Sequence, residues 1–244
     1  MSRALVTGAN KGIGLGLCHE LAAGGWDVIA TCRQSSQELD ALGVQALDGL
    51  DVTVASSVSA IRDAIGGEPL DLVVANAGVN LSFDVDRIDD LDLVLVEEEL
   101  RVNTVGAART VLAALPSLGR GAKVLLVSSG VVGPGRQNAG NVGYTMSKSA
   151  LNSFGRSLAD QARERGIVVV IASPGNTETD ITRRVQAAGR SPLPPGTKSR
   201  DPFDSARNVL GIVERATLED SGAFWGPDGA VLLTVDGVPG SARQ

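Results

Sequence analysis

Five short apolar runs without polar alternation restrict the fold of this chain more than any other feature. They are RALVTG (3–8), WDVIATCR (26–33), LDLVVANAG (70–78), GAKVLLVSS (121–129) and GIVVVIASPG (166–175). A strand with one wet face alternates apolar and polar residues, whereas a strand covered on both faces has no need to. Helical stretches separate the runs: 13–25, closed by the pair Gly24 and Gly25, then 54–66, 94–115 and 145–165. Strands alternating with helices predict an α/β chain, a doubly wound parallel sheet with helices on both faces, spanning 1–244 as one domain. Right-handed crossovers bring ligands to the carboxyl ends of such strands. One irregular segment, ITRRVQAAGRSPLPPGTKSRDPFD (181–204), is expected to pass over those ends as a substrate lid.

Composition narrows the function classes. The 244 residues carry a formal net charge of −6, with an isoelectric point near 4.9. No basic stripe is visible, so neither nucleic acid nor an anionic membrane is an expected partner. The only histidine, His19, reads as helix surface beside Cys18 and Glu20, so no metal site and no Ser-His-Asp triad are expected. Two cysteines, Cys18 and Cys32, make no disulfide framework and fit a reducing cytoplasm. No apolar run approaches 18 residues, so no membrane span is expected. The acidic run VEEEL (96–100) reads as a solvated helix face.

The first apolar run ends in TGANKGIG (7–14), strand before and helix after. Gly8, Gly12 and Gly14 permit a tight turn, close approach of main chain to a pyrophosphate, and packing of helix on strand. The helix N-terminus then offers N–H groups to the phosphates. A dinucleotide cofactor is therefore expected in a Rossmann-type fold, with Asn10, Lys11 and Ile13 completing the loop. At the end of the second strand, where a carboxylate would accept the ribose 2′-hydroxyl, the chain has Cys32 and Arg33. Two cations, Lys11 and Arg33, and no acid favour the 2′-phosphate of NADP(H) over NAD(H).

YTMSK (144–148) holds the only tyrosine. Four positions apart on a helix, Tyr144 and Lys148 share one face. By itself that spacing is an ordinary amphipathic helix. Six motifs in order change the reading, and together they make the chain resemble the short-chain dehydrogenase/reductase family, above all its NADPH-dependent carbonyl reductases. TGANKGIG is similar to the family's glycine motif. LDVT (50–53) resembles the segment that flanks the adenine, which implies Asp51 and Val52. NAG (76–78) implies Asn76, Ala77 and Gly78 beside the cofactor, and RVNTVG (101–106) implies the helix asparagine, Asn103. VLLVSSG (124–130) supplies the serine, with Ser129 preferred over Ser128. SPGNTETD (173–180) resembles the segment by the nicotinamide and implies Pro174, Gly175, Thr177 and Thr179. The 15 positions from Ser129 to Tyr144 exceed the usual gap, which points to a small insertion.

The resemblance implies an oxidoreductase acting on a small carbonyl or alcohol substrate. Tyr144 would exchange the proton and Ser129 hold the substrate oxygen. Lys148 would lower the phenol's pKa and hold the cofactor ribose, while Asn103 would bind a water linking Lys148 to solvent. The alternatives are an epimerase, dehydratase or enoyl reductase on the same residues, or an NADP-sensing binding protein without turnover. Relatives imply a homodimer or homotetramer through the helices 94–115 and 145–165.

Overall fold

The computed structural model describes residues 1–85, 87–133, 141–190, 197–234 and 239–240. In chain order the elements are β1 (Arg3–Thr7), α1 (Gly12–Ala23), β2 (Asp27–Thr31), α2 (Gln37–Asp40), β3 (Gln45–Leu47), α3 (Ser57–Ile65) and β4 (Leu70–Ala75). There follow α4 (Leu93–Leu100), α5 (Ala107–Ala114), β5 (Leu118–Val127), α6 (Val142–Ala162), β6 (Val168–Ala172), α7 (Asp180–Ala187), α8 (Pro202–Arg215), β7 (Phe224–Trp225) and β8 (Val231–Leu233). The strands form one sheet in the order β3-β2-β1-β4-β5-β6-β7-β8. All neighbours pair in parallel except β8, which runs antiparallel to β7 and departs from the purely parallel sheet expected.

The unalternated runs have the expected cause, because successive residues of each strand face different cores. Leu5, Ile29, Val73, Val124 and Val169 pack with Ile61, Val111 and Leu158 of α3, α5 and α6. Their neighbours Ala4, Val6, Val28, Val74, Leu125 and Val170 pack with Leu17 and Leu21 of α1 and with Val209 and Ile212 of α8. Phe224 and Trp225 of β7 are 1% and 6% exposed and belong one to each core. Each fully buried Val, Leu or Ile side chain contributes about 1.5–3 kcal/mol, so both layers are needed.

Two expected elements differ. The stretch 94–115 is not one regular helix: a π-helical segment, Arg101–Gly106, interrupts it between α4 and α5. Such insertions widen a helix by one residue per turn and recur at functional sites. The start of the expected lid is a helix, α7, with Thr179 accepting from the Thr182 N–H at 3.3 Å as its cap. Residues 191–196 of the lid and 134–140 of the expected insertion lie outside the described residues. No helix among the described residues is long and apolar enough to cross a membrane.

Candidate active site

The sheet order reverses between β1 and β4. There the carboxyl ends of the strands open onto a cleft of about 1520 Å³. Every residue nominated from the sequence lines this cleft except Asn103, which is fully buried behind it.

One end of the cleft is main chain. Gly8 and Gly12 hold φ of +66° and +55°, the left-handed region open to glycine. A Cβ on Gly14 would sit 2.1 Å from the Gly8 carbonyl oxygen, and one on Gly8 would sit 2.8 Å from the Ala77 Cα. Asn76 fastens this contact by donating from Nδ2 to the Thr7 and Gly8 carbonyls at 2.9 and 3.1 Å. The Asn76 and Ala77 N–H groups donate to the Thr7 hydroxyl. α1 begins at Gly12 with no side-chain cap and no acid in its first turn, so its leading N–H groups have no side-chain acceptor. A glycine cradle and an uncapped helix start fit a pyrophosphate. Asp51 and Val52, just after β3, line the same cleft. Arg33 is exposed at the end of β2.

Lys11, beside the glycine cradle, is ion-paired. Its ammonium meets the Asp180 carboxylate at 2.6 Å, joining the glycine loop to the start of α7. The hydrogen bonds from Lys11 and then Arg183 hold the Asp180 carboxyl below the usual carboxylate range. Thr179, one residue earlier, crowds Gly12: a Cβ there would lie 3.3 Å from its methyl. The Thr177 hydroxyl pairs with the Ser205 hydroxyl at 2.8 Å.

The other end is built from side chains. β5 ends in two serines that diverge. Ser128 donates to Asn152 Oδ1 at 2.6 Å inside the fold. Ser129 turns to the cleft beside the Tyr144 phenol, and its hydroxyl accepts from the Val131 N–H at 3.4 Å. Lys148, one turn after Tyr144 on α6, is 4% exposed and donates to the Val127 carbonyl at 2.9 Å, with its ammonium 5.8 Å from the centre of the tyrosine ring. Asn103, in the π-helical segment, accepts from the Val79 N–H and donates to the Val79 carbonyl, both at 2.8 Å, and also donates to the Ser147 hydroxyl at 2.9 Å. Its carboxamide is thus committed to the chain just after Gly78. A Cβ on Gly78 would lie 3.2 Å from Asn103 Oδ1 and 3.5 Å from Lys148 Nζ.

The electrostatics correct one expectation. Burial pushes the Tyr144 phenol up to about 12, with a downward pull from the Ser129 hydrogen bond and a further push from Glu99. Burial also pushes the Lys148 ammonium down to about 8. The expected lowering of the phenol by Lys148 is absent, because the ammonium sits over the ring and on a main-chain oxygen while the phenol is desolvated. The phenol therefore holds its proton near neutral pH.

Three residues near this end were missed from the sequence. Glu99, assigned to a solvated face, has no exposure at all. Asn80 and Asn141 are 5% and 4% exposed, and Asn80 Nδ2 donates to Asn141 Oδ1 at 3.0 Å beside the cleft. A signal for Glu99 was present: Val96, Glu99 and Asn103 are spaced by three and four, which places them on one buried helix face.

Comparison with known proteins identifies the family and the fold. Residues 2–189 match the model of the family described as short chain dehydrogenase. The 1-hydroxy-2-glutathionyl-2-methyl-3-butene dehydrogenase of Rhodococcus sp. (strain AD45) is 34% identical over 95% of this chain and 99% of its own. The NADPH-bound carbonyl reductase from chicken fatty liver superposes with a TM-score of 0.79 at 27% identity, over 95% of this chain and 98% of that one. The 3-oxoacyl-[acyl-carrier protein] reductase from Brucella melitensis, in complex with NAD, gives 0.77 at 26% identity, over 93% and 96%.

Proposed function

Because this chain belongs to the short-chain dehydrogenase family of oxidoreductases, we propose that it interconverts a carbonyl and an alcohol with NADP(H), using Ser129, Tyr144 and Lys148. The observation that carries the reading is the convergence of these three side chains at one end of a cleft whose other end is the glycine cradle. When bound, the nicotinamide supplies or accepts the hydride.

The residues divide the remaining work. Tyr144 gives its proton to the substrate oxygen as the alcohol forms. The phenol is protonated near neutral pH and so is ready to act as the donor in the reduction direction. Ser129 donates to the same oxygen and steadies the charge that develops there. Lys148, buried beside the ring and anchored on the Val127 carbonyl, would hold the cofactor ribose. Asn103 acts behind the site by clipping Val79 and keeping Gly78 against Lys148.

The cofactor preference rests on Arg33, exposed at the end of β2 with Cys32, not a carboxylate, before it. The similar structures include one with NADPH and one with NAD. Exposed Leu93 and Val94 on α4, Leu112 on α5 and Met146 on α6 support assembly as a homodimer or homotetramer. A cytoplasmic location belongs to the same reading.

The test is the fall in absorbance of NADPH and NADH across a panel of ketones, aldehydes, quinones and a glutathione-conjugated aldehyde. The last is included because the Rhodococcus relative is named for a hydroxy compound carrying a glutathionyl group. NADPH-preferring turnover that drops roughly 10²- to 10⁴-fold in Tyr144→Phe is expected, and an undiminished Tyr144→Phe rate would refute the assignment. Arg33→Asp removes a charge-assisted bond of about 1.5–3 kcal/mol. It should lower the NADPH over NADH preference by roughly 10- to 100-fold. An unchanged ratio would remove Arg33 from the cofactor site.

A further inference from the structure

Glu99 is a carboxylate with no exposure, and among the described residues no Lys or Arg pairs with it. A charge in such a place is costly unless donors surround it. Three do. The Leu81 N–H reaches Oε1 at 2.6 Å, the Ser82 N–H reaches the same oxygen at 3.1 Å, and the Ser82 hydroxyl reaches Oε2 at 2.7 Å.

Asn103 lies four residues further along the same helical face and takes Val79 by both its N–H and its carbonyl. The chain after Gly78 is thus hung from one helix at two points, Asn103 holding Val79 and Glu99 holding Leu81 and Ser82. Between them sits Asn80, which lines the cleft and meets Asn141 at the N-cap of α6. Asn80 Oδ1 is buried and has no partner among the described residues.

The same carboxylate touches the helix that carries the tyrosine. Gly143 immediately precedes Tyr144, and a Cβ there would sit 2.3 Å from Glu99 Oε2 and 2.6 Å from Ser82 Oγ. Only a residue without a side chain lets the first turn of α6 close onto Glu99. We propose that Glu99 is a positioning residue of the site, holding the segment Val79–Ser82 and the first turn of α6 in register so that the substrate wall and Tyr144 face each other. The inference rests on the reading of Tyr144 as the proton donor.

The charge has a consequence of its own. The side chains that act on the Tyr144 phenol are Ser129 at the end of β5 and Glu99 on α4, while Lys148 on its own helix lies over the ring. Glu99 is the acid among them, and it opposes ionisation of the phenol. Replacing its carboxylate by a carboxamide is expected to lower the pH at which Tyr144 ionises.

Because Tyr144 is the chain's only tyrosine, its ionisation can be followed directly by phenolate absorbance. The experiment compares Glu99→Gln with wild type by three readouts: phenolate absorbance against pH with circular dichroism as a check on folding, hydrogen exchange at the Leu81 and Ser82 amides, and steady-state reduction. The expected result is ionisation at lower pH, exchange at least 10-fold faster at both amides, and a 10- to 100-fold fall in kcat/KM carried mainly by KM, with NADPH affinity within twofold of wild type. Ser82→Ala keeps the charge and removes one donor. It should speed the exchange and raise KM while leaving the phenol where it is, and it serves if Glu99→Gln does not fold. Unchanged ionisation and unchanged exchange in Glu99→Gln, or unchanged exchange and KM in Ser82→Ala, would overturn the proposal. Full activity in Tyr144→Phe would instead refute the proton-donor reading, and exchange and ionisation would still judge Glu99.

Discussion

The two ends of the cleft are made of different materials. The cofactor end is main chain in close contact: glycines against the carbonyl of Gly8 and the backbone of Ala77, fastened by Asn76. The substrate end is polar and ionisable side chains, Glu99 of α4, Asn103 of the π-helical segment, and Tyr144 and Lys148 of α6. The first kind of site stabilises the fold because its contacts are part of the fold. The second is held at a cost in stability, since each desolvated charge needs a partner. Substitutions at the two ends should therefore move stability in opposite directions.

The largest expected effect is at the cofactor end. Gly14→Ala drives a methyl to within 2.1 Å of the Gly8 carbonyl and 2.6 Å of Asn76 Nδ2. It should destabilise the protein by about 3 kcal/mol, the upper range for overpacking, and weaken NADPH binding with it. Chemical denaturation and a binding titration measure the two losses, and intact values for both would break the comparison at once.

A smaller effect of opposite sign is expected from Lys148→Met. In wild type the folded state releases this proton near pH 8, whereas the unfolded chain keeps it to about 10.5. The unfavourable term is thus complete below pH 8 and fades as pH rises to 10.5, so stability climbs through that window. The shift corresponds to a cost on the order of 3 kcal/mol. Orphaning the Val127 carbonyl returns about 1 kcal/mol of it. Lys148→Met should be roughly 2 kcal/mol more stable at pH 7, lack the rise between pH 8 and 10.5, and lose turnover. A destabilised variant would mean that the ammonium is better solvated in the fold than its burial implies.

The smallest effect is at the contact between glycine loop and α7. Both partners of the Lys11–Asp180 pair are exposed, at 67% and 46%, and such pairs contribute about 0–1 kcal/mol. Asp180→Asn should leave the melting temperature almost unmoved. Freed of its partner, Lys11 should raise NADPH affinity by about two- to fivefold, an effect that salt weakens. Weaker NADPH binding in Asp180→Asn would assign the closing of the cleft to the ion pair instead.

The same division explains what the sequence revealed. Close approach of main chain leaves a mark on residue type, since only glycine fits at Gly8 and Gly14, so the tight strand-to-helix turn was legible in TGANKGIG between an apolar run and a helix. Burial on both faces of the sheet likewise left only apolar residues in the stretches Ala4–Val6 of β1, Leu72–Ala75 of β4, Val124–Val127 of β5 and Val168–Ala172 of β6. The choice between Ser128 and Ser129 depended on which way each side chain turns at the end of β5, and spacing could not supply that. Glu99 was hidden in the run Glu97–Glu98–Glu99, where composition suggests water and only the three-and-four spacing from Val96 to Asn103 points inward. The π-helical insertion left no trace in hydrophobic periodicity, and α7 was obscured by the prolines and glycine that follow it.

The strand order also has a consequence for how the chain assembles in time. β1 is covered on one edge by β2, from Asp27 onward, but on the other by β4, where Ala4 meets Leu72. β5 in turn waits for β6, with Lys123 beside Val168. Each pairing spans a complete crossover, so loop closure precedes its reward and folding belongs to the slower regime of high contact order. On a growing polypeptide the β1 edge stays open until the fourth strand has emerged, and that half-built sheet is the form most exposed to wrong pairing.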